Sequence, residues 1–567
     1  MPAVSPKIHP LQFWFPPTLR NLVGLLIILG LAGAIALAPD FEVINPYGWP
    51  QFWAFIQASG HPDLSPAFLT LTLQATWTTL SYALVGTAMS LGLGVLGASL
   101  TSDVIISTLA PSLAHWGIQR WGRAILALPR SLHEVIWGLL LINLLGLDPL
   151  VGLLAIAIPY GAIVAKIFAE ILDDTPQSAL QSILQSGAPP ALALIYGLLP
   201  QASLSLLSYS FYRFECSLRS AAILGVIGAG GLGYQMMLSL QSLRYAQIWT
   251  LFYAIVLLNG MVDLLSAHCR HRIRAPPRMH LKDPLRLIVP PTQAPQAPSP
   301  GLGAWGSLIL TAVILALTGA AWVSLAPDLS LLGKPPTVHL GAQMTARLFP
   351  VQLPPELVRA LPWGVVQTLS MGSLAIAIAT LGAFGLSWSA ARSWGKSDLP
   401  RVLSPTRRLR ILVSHGILLF MRAIPSPIWA LVLLYLLRPG ITVGAIALGL
   451  HNAGVMGRLF AEEIENCAAA PMQALQNAGV PLMSSLVYGL FSRIGSRFAQ
   501  YGFYRLEVCI RESFVLGLVG AGGLGVLLRE ELSNYSFQPV LLLLLCFSGL
   551  TLAIEWISRG VKSNPVE

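Results

Sequence analysis

Runs of about twenty apolar residues recur along the whole chain, from Asn21–Ala38 to a last block at 537–558. A helix of ~20 such residues crosses the hydrocarbon of a bilayer, so the chain reads as an all-α polytopic membrane protein. Only 10% of its 567 residues are charged, against roughly 25% in soluble domains. The net charge of +10 follows from the positive-inside rule rather than from a nucleic-acid surface. Asp40–Phe68 carries three acids and no Lys or Arg and is expected outside, whereas the basic stretches from His268 and from Arg392 belong in the cytoplasm. Both termini are then cytoplasmic. The Pro-rich start, with Lys7 and Arg20, shows no cleavable leader, and the block behind it is a retained span or a signal anchor. Cys216, Cys269, Cys467, Cys509 and Cys546 show neither metal spacing nor a disulfide framework. They read as small apolar fillers, and no metal site is expected.

The chain is one unit written twice. Shifted by 292 residues, Arg130–Gly233 falls on Arg422–Gly525 without a gap: Trp137 meets Trp429, Gly187 meets Gly479, and "GAGGLG" at Gly228 meets "GAGGLG" at Gly520. Such a repeat governs the fold. Between the copies, Val289–Gly303 holds five prolines among small and polar residues, an extended spacer. Spans are expected at about 21–39, 68–98, 122–145, 150–171, 201–226 and 246–267, and again at about 304–326, 363–389, 411–437, 441–462, 493–518 and 537–558. The reading is thus a repeat over 1–267, a basic, Pro-rich cytoplasmic linker over 268–303 and a repeat over 304–567. That makes about twelve helices in two parallel six-helix sets.

Two features recur in both repeats. Between the fourth and fifth spans, 173–200 and 465–492 are too polar to cross a membrane and too regular to be slack; each holds a short helix, a Gly, and a Pro two residues on. Inside the fifth span sits a charged phrase, "YRFECSLR" at Tyr212–Arg219 and "YRLEVCIR" at Tyr504–Arg511. A charge at mid-membrane costs ~2.5–3.5 kcal/mol or more, so these side chains are expected to face protein or a wet cavity. Glu215 and Arg219 stand four apart on one helix face, while Arg213 points about 200° away from Glu215. One reading is structural, with Glu and Arg neutralising each other and locking the bundle.

The loops resemble the "EAA" loop of ABC-importer permeases. Gln181-Ser182-Ile183 and Gln473-Ala474-Leu475 fill the EAA slots, Gly187 and Gly479 the invariant Gly, and Leu199-Pro200 the Leu-Pro, which the second copy replaces with Phe491-Ser492. With "YRFECSLRSAAILGVIGAGGLG", "YRLEVCIRESFVLGLVGAGGLG", "RLFAE" at Arg458 and "MRAIP" at Met421, the chain resembles phosphonate- and phosphite-type permeases, with the usual pair fused in one polypeptide. The resemblance implies a type I importer transmembrane domain in a bacterial inner membrane. It implies coupling helices, carrying Gln181, Gly187, Pro189, Gln473, Gly479 and Pro481, that dock on two copies of a cytoplasmic ATPase. ATP and Mg belong to those subunits, and no cofactor to this chain. A periplasmic or lipid-anchored binding protein would deliver the solute, and a short periplasmic gate helix would lie at Gly228, Gly230, Gly231, Gly233, Gly520, Gly522, Gly523 and Gly525. Arg213, Glu215, Arg219, Arg505, Glu507 and Arg511 become candidate pathway residues, with Arg219 and Arg511 expected to neutralise the passing oxyanion.

"GAGGLG" matches GxGxxG but follows a span rather than a strand, so a dinucleotide site is not read there. "ARSWGKS" at Ala391–Ser397 lacks the first Gly of a phosphate loop. His451 and Asn452, opposite Pro159 and Tyr160 in the other repeat, read as hydrogen-bonded packing groups. The alternatives are an ABC permease for another small solute such as an amino acid, a twelve-helix secondary transporter, which would use carboxylates as ion sites and need no fixed loops, and a non-transporting scaffold.

Overall fold

The computed structural model describes residues 44–112, 117–273, 304–346, 354–391, 405–467, 470–534 and 536–562. The first expected span, most of the linker and the stretch at 392–404 lie outside the described residues. All described elements are helices; the one strand-like pairing among them is an antiparallel bridge between Ile44 and Leu437.

Eight described helices are long and apolar enough to cross a membrane, and ten spans result if two bent pairs each count as one. Those pairs are the third and ninth expected spans. Ile118–Ser131 meets Glu134–Leu145 at 84°, and Pro405–Ala423 meets Ser426–Leu433 at 91°. Continuous helices were expected over 122–145 and 411–437, and local chemistry explains the difference. Leu132 and His133 take extended backbone angles before the His133 side chain caps the next helix. In the second repeat Pro425 is extended and Pro427 follows two residues on, removing donors a continuous helix would need. Ser492–Leu518, at the eleventh expected position, forms a 27-residue helix, but Arg493, Arg497, Arg505, Glu507, Arg511 and Glu512 leave it short of the apolarity of the other spans.

The second and fourth spans of each repeat pack closely through small residues, as helices in lipid do. A Cβ at Gly94 of Pro66–Thr101 would lie 2.2 Å from Val164 of Pro149–Asp174, and one at Gly444 of Ile441–Asn466 would lie 2.5 Å from Met371 of Pro355–Ala390. Asp148 starts the fourth span by accepting from the Leu150 N–H at 2.7 Å, with Pro149 at the first helical position.

The compact units do not follow the repeats. One comprises Gln57–Arg347, the other Met1–Ile56 with Leu348–Glu567. Helix Ala304–Leu325, which opens the second repeat, thus belongs to the first repeat's unit. There Trp77 Nε1 donates to Ser324 Oγ at 3.1 Å and the Asp328 N–H donates to Asp148 at 3.4 Å. Reciprocally, in the other unit, the Asn45 N–H donates to the Leu436 carbonyl at 2.9 Å. A Cβ at Gly48 would lie 1.6 Å from the Tyr435 carbonyl oxygen. Neither repeat therefore holds a whole unit. Fragments 1–303 and 304–567 should each fail to accumulate in membranes when expressed alone and should accumulate together when co-expressed, read by immunoblot of membrane fractions.

Candidate functional site

The charged phrase lies on Leu199–Leu224 and Ser492–Leu518, the fifth helix of each repeat. Arg213 and Arg505, equivalent under the repeat, are only 5% and 7% exposed. The Arg213 guanidinium carbon stands 4.0 Å from the Tyr160 ring centre and 5.9 Å from that of Tyr209, a cation–π arrangement. Its Nε and Nη2 are buried with no hydrogen-bond partner among the described residues, as are Arg505 Nε and, one turn after Arg213, Ser217 Oγ. A guanidinium is always charged and offers five donors, and an unpaired buried charge is strongly unfavourable.

The other members of the phrase are engaged locally. Glu507 accepts from Arg511 Nη2 at 2.5 Å, one turn apart, at the positions equivalent to Glu215 and Arg219. Arg219 Nη2 points to Cys216 Sγ at 3.4 Å. Glu215 is buried, 7% exposed. Among the described residues Arg213 thus carries two donor atoms without a hydrogen-bond partner and Arg505 one, residues on which the sequence placed less weight than on Arg219 and Arg511.

Spacing does not reveal what holds Tyr160 beneath Arg213. Its hydroxyl lies 2.5 Å from Ser220 Oγ, which donates to Glu134 Oε1 at 2.5 Å. Glu134 opens the second limb of the broken third span, and His133 Nδ1 lies 3.3 Å from its other oxygen. In the second repeat, His451 Nδ1 donates to the Ile424 carbonyl at 3.0 Å and Asn452 Nδ2 to the Leu448 carbonyl at 2.9 Å, the packing role expected of them. No group of three His, Cys, Asp or Glu side chains able to hold a metal occurs among the described residues.

At the far end of the fifth helix the glycine run reverses the chain. Gly228, Gly230 and Gly231, and likewise Gly520, Gly522 and Gly523, all have positive φ, open to glycine without steric cost. The helices that follow, Gly231–Gln241 and Leu524–Ser533, fold back so tightly that a Cβ at Gly233 would sit 1.8 Å from the Ala222 carbonyl oxygen and one at Gly525 2.0 Å from that of Phe514. A threonine from the second span receives each new helix: Leu232 N–H donates to Thr79 Oγ1 at 2.9 Å and Leu524 N–H to Thr368 Oγ1 at 3.0 Å.

Both polar loops are ordered by one device. Ser178–Gln185 and Ala470–Asn477 end at Gly187 (φ +84°) and Gly479 (φ +81°). Gly187 N–H returns to the Leu184 carbonyl and Ala188 N–H to that of Ile183; Gly479 and Val480 repeat this with Gln476 and Leu475. This is the Schellman closure. The helices then lie against Gly197 and Gly489, where a Cβ would meet Leu180 Cα at 2.8 Å and Met472 Cα at 2.7 Å. The outer side carries exposed Leu192, Ile195 and Tyr196 in the first repeat and Met483, Val487 and Tyr488 in the second.

Gly233→Ala and Gly525→Ala should each destabilise the chain by about 1–3 kcal/mol through overpacking, seen as a lower unfolding temperature of the purified protein. Gly319→Ala, where a Cβ meets nothing within 4 Å, should leave it unchanged.

The family model described as "binding-protein-dependent transport system inner membrane component" matches residues 104–275. A phosphate-import permease of Mycolicibacterium smegmatis is 25% identical over 484 residues, covering 84% of each chain. A phosphite transport system permease of Stutzerimonas stutzeri is 29% identical over 47% of this chain and 91% of its own length. A putative cryptic phosphonate transport system permease of Escherichia coli strain K12 is 31% identical over 21% of this chain and 97% of its own. No solved structure matches significantly.

Proposed function

The chain belongs to the family of inner-membrane components of binding-protein-dependent transport systems, and we propose on that premise that it is the fused permease of an ABC importer for a phosphonate-class oxyanion: phosphonate, phosphite or phosphate. The observation that carries the substrate class is the pair of buried arginines at one position of both repeats, Arg213 with Nε and Nη2 and Arg505 with Nε lacking a hydrogen-bond partner among the described residues. A guanidinium fork matches two oxygens of a tetrahedral anion at once, and donors without protein partners need no ion pair broken before they take a solute. The names of the relatives, for phosphate, phosphite and phosphonate, support the same class.

The finer architecture is twelve spans in two parallel sets of six, with both termini cytoplasmic. Separate ATPase subunits supply the energy, two copies docking on the loops around Gln181–Pro189 and Gln473–Pro481, with ATP and Mg on those partners. The exposed Leu192, Ile195 and Tyr196 in the first repeat and Met483, Val487 and Tyr488 in the second, of which Ile195 matches Val487 and Tyr196 matches Tyr488, give such a partner an apolar footing in each repeat. A substrate-binding protein at the outer face delivers the anion, and the glycine-built reversals at Gly228–Gly233 and Gly520–Gly525 serve as the outer gate.

Replacing a buried charge with a neutral amide removes a desolvation penalty and, at Arg213, a cation–π contact of smaller size, so Arg213→Gln with Arg505→Gln should leave membrane level and unfolding temperature near wild type. Losing hydrogen bonds to a charged partner, worth about 1.5–3 kcal/mol each, should meanwhile cut uptake of radiolabelled phosphite and phosphate about tenfold or more. Full uptake in the double variant overturns the role of these arginines. Ile195→Glu with Val487→Glu should release the ATPase, read as loss of two co-purifying ATPase chains per permease chain while the permease stays in the membrane.

A further inference from the structure

At the break in the third span the two repeats carry the same groups on opposite helices. In the first, Glu134 begins the helix after the break and accepts from Ser220 on the fifth span at 2.5 Å. Under the repeat register, Glu134 corresponds to Ser426 and Ser220 to Glu512. In the second repeat Ser426, which likewise begins the helix after the break, donates to Glu512 on the fifth span at 3.3 Å. The bond has the same two ends and the same two chemical groups, with the carboxylate moved from one end to the other.

The imidazole has moved in the same way. His133 corresponds to Pro425 and Pro159 to His451. His133 adjoins Glu134 at the break from the third span itself. His451 reaches the equivalent break from the fourth span, donating to the carbonyl of Ile424, the residue before Pro425. Two independent exchanges therefore preserve one set of groups at one place. Each repeat thus keeps one carboxylate and one serine joined across the same two helices, with the owner of the acid exchanged.

We infer that each half requires one carboxylate–serine bond between the break of its third span and its fifth span, and that the requirement falls on the bond rather than on which helix supplies the acid. A bend of 84° or 91° leaves the limbs without a continuous backbone ladder across the corner, so a side-chain bond has to fix where the second limb meets the fifth helix. Buried Glu134, 5% exposed, Ser220, 2%, and Ser426, 3%, are shielded from water that would compete for it. In the first half Ser220 also receives Tyr160, on which Arg213 stacks, so the bond positions the platform beneath that guanidinium. Glu134, Ser220, Ser426 and Glu512 are positioning residues and need not touch the solute.

The test is an exchange within the first half of the full chain. Glu134→Ser leaves two hydroxyls and Ser220→Glu sets two carboxylates against each other. Each single change should lower the unfolding temperature of the purified protein by about 2–4 °C and lower uptake of radiolabelled phosphite and inorganic phosphate about tenfold, an effect of the size that cycles find for residues in contact. Glu134→Ser with Ser220→Glu gives the first half the second half's arrangement and should return both readings to near wild type. A merely structural dependence on either residue would not be rescued by altering the other. A double variant no better than the worse single overturns the inference, as does a Glu134→Ser protein that behaves as wild type. If the singles are too unstable to purify, their membrane levels against that of the double give the same comparison. Should the wild-type chain import neither anion, the proposed substrate class fails while the unfolding temperatures still decide this inference. Ser426→Glu with Glu512→Ser should show the same rescue in the second half.

Discussion

An ionised side chain inside a hydrocarbon layer has to find a partner, and the placement of charge in this chain follows from that demand. The fifth helices could have been apolar throughout, as the second and fourth nearly are. Instead each carries a phrase of two arginines and a glutamate, and the fold answers each charge differently. Glu507 and Arg511 close on one another, Arg219 turns to a cysteine sulfur, and Arg213 is supported from below by aromatic faces that take up positive charge without neutralising it. Aromatic support lowers the cost of burying a guanidinium while leaving its edge donors unspent. That combination suits a site that must attract an anion and then release it.

Much of this could be read before any coordinates. The repeat, the all-helical class, the two ordered loops and the glycine reversals all rest on local chemistry: apolar runs, positive-φ glycines and prolines at helix starts act over a few residues and leave a visible mark. The breaks in the third and ninth spans did not show, because apolar composition continues through them. In the first repeat the break falls at Leu132–His133, where no proline stands. Lodging helix Ala304–Leu325 in the unit of the first repeat was equally invisible, since it depends on contacts such as Trp77 with Ser324, 247 residues apart.

The candidate site was legible in part for a related reason. Helical spacing tells which charges share a face; it puts Glu215 on a face with Arg219, and the equivalent positions Glu507 and Arg511 form an ion pair. It cannot tell which guanidinium another helix will satisfy. Tyr160, Ser220 and Glu134 come from three different helices, so their chain surfaces only when those helices are packed. The exchange of Glu134 and Ser220 for Ser426 and Glu512 was nonetheless present in the repeat register. It passes unnoticed because residue-by-residue alignment scores both positions as mismatches, and only pairing the two columns turns the mismatches into one retained bond.

The end of the first repeat's loop and its charged phrase share one helical run within the 40-residue candidate span Pro190–Ala229, interrupted only at Gly228 near its end. At 1.5 Å per residue it is about 60 Å long, roughly twice the hydrocarbon thickness of a bilayer. It begins at the loop that follows Gly187, carries Arg213 near its middle, and ends in the glycine reversal. A short wider turn at Leu194–Leu198 lies near its first end, and at the other end the helix stops where Gly228 leaves helical geometry (φ +105°). Such an element behaves as a strut. A tilt imposed at one end displaces the other at once and swings the midpoint by an intermediate amount, with no hinge between to absorb the motion. The stiffness of one rod, rather than a relay of side-chain contacts, then sets how faithfully an event at one membrane face is felt at the other.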